Sequence, residues 1–150
     1  MYATNFKVRV VIVRLFSIYG RELRKQLLWD GCRKLLQGVN EFPGSGEESR
    51  DWVNVQDAAV LISLAADKAD DTCRIFNGGR GEAVTVRQIL EALRDELTLS
   101  GDLRFNGEKR AGDPRDLVAD PSAALALGWR PTIAWRQGIA DYVRWFKTAV

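Results

Sequence analysis

Two arginines carry the chemistry that this chain's residue types allow. Arg50 lies in Gly44-Ser45-Gly46-Glu47-Glu48-Ser49-Arg50-Asp51-Trp52-Val53-Asn54-Val55-Gln56-Asp57, between a glycine turn and a short alternating strand. Arg110 lies in Lys109-Arg110-Ala111-Gly112-Asp113-Pro114, a turn that fixes its direction. A guanidinium is a planar fork of five donors, which suits a diphosphate far better than a protein core. Most arginines are solvated surface charges; placement beside turns sets these two apart. The chain contains no histidine, so Ser-His-Asp and Cys-His catalysis within it are excluded, as are His-based metal sites. No Asp-x-Asp cluster recommends a carboxylate metal site, and neither a catalytic residue nor a metal ligand is assigned.

Three further features have competing readings. Asp51 and Asp57 could be paired carboxylates for acid–base work. The structural reading is that Asp57 caps a helix before Ala58-Ala59-Val60-Leu61 and Asp51 pairs with neighbouring backbone or an arginine. Trp52 alternates with Val53 and is either a core residue or a stacking platform for a base. Gly78-Gly79-Arg80-Gly81 sits between a strand and a helix like a phosphate loop. It lacks both the third Rossmann-spaced glycine and a Lys-Ser pair, which favours a structural turn that frees Asn77 to hydrogen-bond locally.

The elements that must hold these residues alternate between strand and helix. Val8-Arg9-Val10-Val11-Ile12-Val13 is a β-branched apolar run, the pattern of a parallel strand buried on both faces. Residues 22 to 37 carry Leu23, Leu27, Leu28, Leu35 and Leu36 at helical spacing, with Arg24, Lys25, Arg33 and Lys34 on the polar side and Gly38 as the stop. A helix from Ala58 to Ala66 and a strand Arg74-Ile75-Phe76-Asn77 follow. Thr85-Val86-Arg87-Gln88 is a capping box that opens a helix with Ile89, Leu90, Leu93 and Leu97 on one face and Arg87 as an exposed bystander. A strand near Leu103-Phe105, a short helix from Asp120-Pro121 to Gly128 and a last helix from Trp135 to Lys147 complete the order.

Length and composition over 1–150 fit one soluble domain or a large piece of one. The 150 residues are 46% apolar, with mean hydropathy −0.20, and a complete globular chain of that length buries roughly 70% of its unfolded surface. The 22 basic and 20 acidic residues are interspersed, giving net charge +2 and no basic footprint for nucleic acid. Arg21, Arg24, Lys25, Arg33 and Lys34 are diluted by Glu22 and Asp30. No apolar run approaches about 18 residues, so no membrane span is expected, and no secretory signal is visible at Met1-Tyr2-Ala3-Thr4-Asn5. Cys32 and Cys73 form no disulfide framework. The expected compartment is cytoplasmic.

With Arg14-Leu15-Phe16-Ser17-Ile18-Tyr19-Gly20, the Gly44–Asp57 stretch and Arg110–Pro114 in that order, the chain resembles the C-terminal half of the NAD-dependent epimerase/dehydratase family. These are extended short-chain dehydrogenases/reductases that act on nucleotide sugars. The resemblance covers residues 5 to 147 and leaves the N-terminal, cofactor-binding half absent. It implies a Rossmann-like α/β fold, with two parallel core strands near 8–14 and 74–77 at the edge of the sheet and a small α+β substrate-binding subdomain.

The resemblance also implies site roles. Arg50 and Arg110 would clamp the diphosphate of a nucleoside-diphosphate sugar, with Asp113 near the ribose or base. Phe16 would lie near the nicotinamide of NAD or NADP, and Ser17 stands where the family often has an Asn that reaches the sugar-diphosphate. Asn40, Glu41 and Phe42 occupy the segment that frames the nucleobase, beside Trp52. Other departures are Arg21 in place of a Pro and Ala123 in place of a Lys. Gly128-Trp129-Arg130-Pro131 resembles a closing motif that is structural.

The family's Gly-x-x-Gly-x-x-Gly loop does not occur here. Its Tyr-x-x-x-Lys pair is also missing: Tyr2 precedes Phe6, Tyr19 precedes Leu23 and Tyr142 precedes Phe146. The expectation is a substrate-binding half that is inactive alone, binds no cofactor tightly, and either self-associates or works with a missing N-terminal half. A truncated or stand-alone non-enzymatic nucleotide-sugar-binding module is the competing reading.

Overall fold

The computed structural model describes residues 2–108 and 112–150. After α1 (Tyr2–Phe6) come β1 (Val11–Leu15) and, past Phe16, β2 (Ser17–Tyr19). α2 (Gln26–Leu36) leads to β3 (Glu41–Phe42), and the glycine turn leads to β4 (Ser49–Arg50) and β5 (Trp52–Asn54). α3 (Val55–Ala66) crosses to β6 (Arg74–Gly78), and β7 (Val84–Thr85) runs straight into α4 (Val86–Glu96). β8 (Arg104–Phe105), β9 (Asp116–Leu117), α5 (Ser122–Ala126) and α6 (Trp135–Ala149) follow.

Parallel pairing dominates. β1 lies beside β6 in register from Val11–Arg74 to Leu15–Gly78, β2 beside β5, and β3 beside β8. β4 is central to a small mixed sheet, antiparallel to β7 and parallel to β9. Parallel neighbours need long crossovers, and α3 supplies the one between β1–β2 and β6. Two apolar clusters hold these layers. The larger joins α2, α4 and α6 around Leu28, Leu90, Leu93, Ile139 and Phe146; the smaller joins α3, β6 and α5 around Leu61, Phe76, Ala124 and Trp129.

Local signals explain most boundaries. Thr85 and Gln88 form the reciprocal capping box at α4, and Gly38 (φ +76°) and Gly128 (φ +97°) take the left-handed conformations that end α2 and α5. α2 begins at Gln26 rather than near residue 22: Glu22 takes a left-handed φ of +71° and Lys25 is extended, and the Leu23 carbonyl, outside the helix, accepts from the Tyr142 hydroxyl at 2.9 Å. Gly138 lets α6 lie directly on the Tyr19 ring, where any Cβ would collide with the phenol.

Three expectations are corrected. α3 starts at Val55 and its N-cap is Asn54, whose side chain accepts from the Gln56 amide; Asp57 is in the first turn. The Asp57 carboxylate points inward and accepts from the amides of Thr132 and Ile133, both at 3.0 Å. β1 is not buried on both faces: Val11 and Val13 pack under α3, while Ile12 and its partner Ile75 are 42% and 46% exposed. Among the described residues, helices cover one face only of this pair. Asn77 does not bond locally but donates to the Asp120 carbonyl, 43 residues away.

Asp51 is the junction of the fold. Its carboxylate is fully buried and accepts from three backbone amides: Arg80 and Gly81 at 2.7 Å and Ala119 at 3.1 Å. Its own amide and carbonyl bond Leu117 and Ser17. The paired-carboxylate acid–base reading of Asp51 and Asp57 is therefore overturned, because backbone donors claim both groups. Asp51→Ala is expected to destabilise the chain by about 3 kcal/mol or more, since each buried amide left without a partner costs about 1–3 kcal/mol. Gly79→Ala should approach that loss, as its Cβ would stand 2.5 Å from an Asp51 carboxylate oxygen. Urea midpoints of the two variants, measured beside the parent chain, check both.

Candidate functional site

A cavity of about 820 Å³ opens between α2, the 42–50 segment and the turn that carries Asp113. Its α2 wall is the face spaced three and four residues apart, with Leu27, Asp30 and Lys34 in line. Phe42 closes the floor: it is buried, lies 6.4 Å from the Phe105 ring, and has the Lys34 ammonium 5.6 Å from its centroid. Arg50 and Arg115 bring further positive charge to the lining.

Arg50 is aimed by backbone. Its Nη1 donates to its own neighbour's carbonyl, Ser49 O, at 2.7 Å and to Arg115 O at 3.3 Å. Among the described residues no carboxylate lies within ion-pair distance of it. A half-buried guanidinium with no internal counter-ion, on the wall of a cavity, is suited to an external anion. Arg80 is the contrast: its guanidinium bonds the carbonyls of Pro131 and Ile133 and lies 3.9 Å from Asp57, a purely structural use.

The glycine turn before Arg50 is held by a carboxylate. Glu48 accepts from the amides of Ser45 and Gly46 and from the Ser45 hydroxyl, each at 2.9 Å. Gly44 (φ +90°) and Gly46 (φ +83°) turn those amides inward. The Ser45 amide bond, more than any other influence, holds the Glu48 carboxyl down from the usual 4.5 to about 2. Arg87 is no bystander: it pairs with Glu47 at 3.1 Å and stacks 4.4 Å from the Phe105 ring, bracing the outside of the same turn.

Sequence-derived candidates divide into three groups. Arg50, Phe42 and Asp113 line this one cavity. Four others lie outside it. Asn40 only ends the approach to β3, its carbonyl accepting from the Arg104 amide. Trp52 is core, 7% exposed, edge-on to Tyr19, with its indole N–H towards Val84 O, so the stacking-platform reading does not hold. Phe16 and Ser17 lie past the C-terminal end of β1, where their amides bond Gly78 and Asp51 carbonyls. Arg110 lies outside the described residues.

Sequence reasoning missed Lys34 and Arg115. Lys34 follows Asp30 by four residues, which reads as an ordinary solvated pair, and Arg115 follows a Pro with no pattern of its own.

Three buried acids, the Tyr19 and Tyr142 phenols and the Cys32 thiol, are held in their neutral forms. Burial pushes the Tyr19 phenol up to about 12 and raises Tyr142 further from its ordinary value. Burial likewise lifts the Cys32 thiol to about 12. The Gly78–Gly81 turn is not open to a phosphate, because the Arg80 and Gly81 amides already donate to Asp51.

Residues 1–79 match the NAD dependent epimerase/dehydratase family. The chain belongs to that family. It is 29% identical over 154 residues to a putative UDP-glucose 4-epimerase of Methanocaldococcus jannaschii, covering 98% of this chain and 48% of that protein. It is 32% identical over 116 residues to a putative GDP-L-fucose synthase 2 of Oryza sativa, covering 76% of this chain and 33% of that one.

Among solved structures, the UDP-glucose 4-epimerase of Thermotoga maritima with UDP-glucose superposes with TM-score 0.87 at 25% identity, over 99% of this chain and 49% of that one. The Thermus thermophilus UDP-glucose 4-epimerase complexed with NAD gives 0.86 at 26% identity, over 99% and 50%. This family member therefore has the fold of one portion of a Rossmann-like extended short-chain dehydrogenase/reductase and spans from a third to about half the length of these proteins.

The Glu48 carboxyl tests the described turn directly. Its pKa is lowered on folding, so its contribution to stability is fully present above pH 4.5 and is lost as pH falls towards 2. Side-chain carbonyl NMR should place its titration near 2, and Glu48→Ala should flatten the stability loss across that window.

Proposed function

We propose that this chain is the substrate-binding half of an NAD(P)-dependent nucleoside-diphosphate-sugar epimerase or dehydratase. The observation that carries the reading is Arg50: a guanidinium with no carboxylate partner among the described residues, fixed on a cavity that also holds Phe42, Asp113 and Arg115. In this proposal Arg50 and Arg110 grip the diphosphate, Phe42 and the Asn40–Glu41 strand entry frame the base, and Asp113 meets the ribose or base. A cavity of about 820 Å³ is within the ordinary range for a ligand of that size. UDP-glucose in the Thermotoga maritima structure and the GDP-L-fucose synthase relatives support this ligand class.

The residues present do not fit a dinucleotide pyrophosphate. The Gly78–Gly81 turn has its amides filled by Asp51, and burial raises the Tyr19 and Tyr142 phenols away from ionisation. We therefore assign no chemical step to this chain; Phe16 and Ser17, past the end of β1, would form one wall of a nicotinamide site. The rest of that site would come from a cofactor-binding half packed on the exposed Ile12–Ile75 face beside β1. Left uncovered, the same face would favour self-association. The filled glycine turn also suits the second reading, a nucleotide-sugar-binding module without catalysis. A cytoplasmic location belongs to this proposal; in the structure, no helix among the described residues is long and apolar enough to cross a membrane.

Two measurements test the proposal. Loss of one charge-assisted phosphate contact costs about 1.5–3 kcal/mol, so Arg50→Ala should weaken UDP-glucose binding roughly 10- to 150-fold by calorimetry. Arg50→Lys should recover only part, and Arg144→Ala, on the exposed side of α6, should change little. Equal affinity for Arg50→Ala and Arg144→Ala would remove the clamp. Separately, the chain alone should bind NAD no tighter than the micromolar range and turn over no nucleotide sugar; cofactor-dependent epimerisation by the purified chain would overturn that half of the assignment.

A further inference from the structure

Among the acidic side chains that line the cavity, Glu48 differs in having its carboxylate spent on backbone amides. We propose that Glu48 is a positioning residue for nucleotide-sugar binding: as a built-in anion in the amide ring of the 44–46 turn, it locks the turn that aims Arg50 into the cavity. This rests on the functional reading above, and it concerns a group that would not itself touch the ligand.

The geometry supplies the reasoning. Two left-handed glycines point the Ser45 and Gly46 amides at one spot, an arrangement that is electropositive and needs an anion or water to be stable. Glu48 reaches that spot with both oxygens, one for Ser45 and one for Gly46. The outside of the turn is bonded on three sides. Gly44 O accepts from Gly107, Gly46 O from Arg87, and Glu48 O from Val86, at 2.8 to 2.9 Å. The turn therefore joins β3, the start of α4 and the segment after β8, three parts of the cavity's surroundings. Arg50 is two residues beyond Glu48, in β4, where pairing with β7 and β9 and the Arg115 carbonyl complete the hold that the turn begins. A Cβ at Gly46 would stand 2.8 Å from the Phe105 ring, so the turn packs closely on that side.

The test uses Glu48→Ala and Glu48→Gln in the full chain, with UDP-glucose and GDP-L-fucose as probes. Hydrogen exchange at the Ser45 and Gly46 amides reads the turn, and calorimetry reads affinity. For Glu48→Ala we expect exchange at least about tenfold faster and affinity about tenfold lower. Glu48→Gln keeps one carbonyl oxygen for Ser45 but presents an NH2 to the Gly46 amide, so it should fall between. Should Glu48→Ala fail to fold, Glu48→Gln carries the same comparison.

Unchanged exchange would overturn the clamp. Faster exchange with unchanged affinity, while Arg50→Ala still weakens binding, would overturn the positioning role and leave the functional reading standing. Tighter binding by Glu48→Ala would mean that the amide ring is itself a ligand site that Glu48 blocks, which also overturns the proposal. If the parent chain binds neither probe, the functional reading falls and the inference falls with it.

Discussion

The buried Asp51 carboxylate is the interaction on which the remaining structure depends. A carboxylate taken from water must be repaid by hydrogen bonds, and here three backbone amides from two distant turns converge on it. Those bonds draw the 78–81 turn and the Ala119 segment together across the start of β5. Arg50 and Trp52 flank Asp51 at the break between β4 and β5. Period-two alternation along one continuous strand would put them on the same face; across this break Trp52 goes into the core and Arg50 goes to the cavity.

Asp57 repeats the device nearby. It binds the Thr132 and Ile133 amides, its carbonyl accepts from the Trp129 indole, and Arg80 closes the cluster. The 129–133 segment, which has no regular structure, is thereby tied to the first turn of α3. Two buried aspartates thus hold loops that apolar packing alone would leave loose. Glu48 does the same for a turn at the surface. Asp51 and Asp57, which could be paired carboxylates on paper, are consumed by backbone donors, and so is Glu48. On the cavity lining the cations Arg50, Lys34 and Arg115 stand beside the acids Asp30, Glu108 and Asp113, and Arg50 has no carboxylate partner among the described residues.

Local grammar was legible where a short-range interaction decides the outcome. The Thr85–Gln88 box and the left-handed stops at Gly38 and Gly128 come from contacts within a few residues or from steric limits on φ. Reading failed where a distant partner won. Asp57 looked like a cap because an acid before Ala-Ala is a good one, but Asn54 was nearer the helix start and Thr132 and Ile133 offered Asp57 buried donors. Arg87 looked exposed because helix periodicity places it outward, yet the turn at Glu47 and the Phe105 ring reach over it. Lys34 and Arg115 carried no signal, since only the folding of α2 against the 42–50 segment makes a cavity for them to line.

The sequence by itself determined the order of the longer strands and helices, the Rossmann-like family and the two arginines worth asking about, because periodicity, turn residues and motif order are properties of neighbours along the chain. Tertiary structure alone decided which carboxylates are structural, that Trp52 is core, and that Arg50, Phe42 and Asp113 share one cavity while Asn40 does not. It also decided that β1 and β6 bury one face and expose the other. Those outcomes depend on which groups meet across 30 to 120 positions of chain. The free energy of a buried charge or an apolar face is set by what lies against it in space, and no local pattern encodes that.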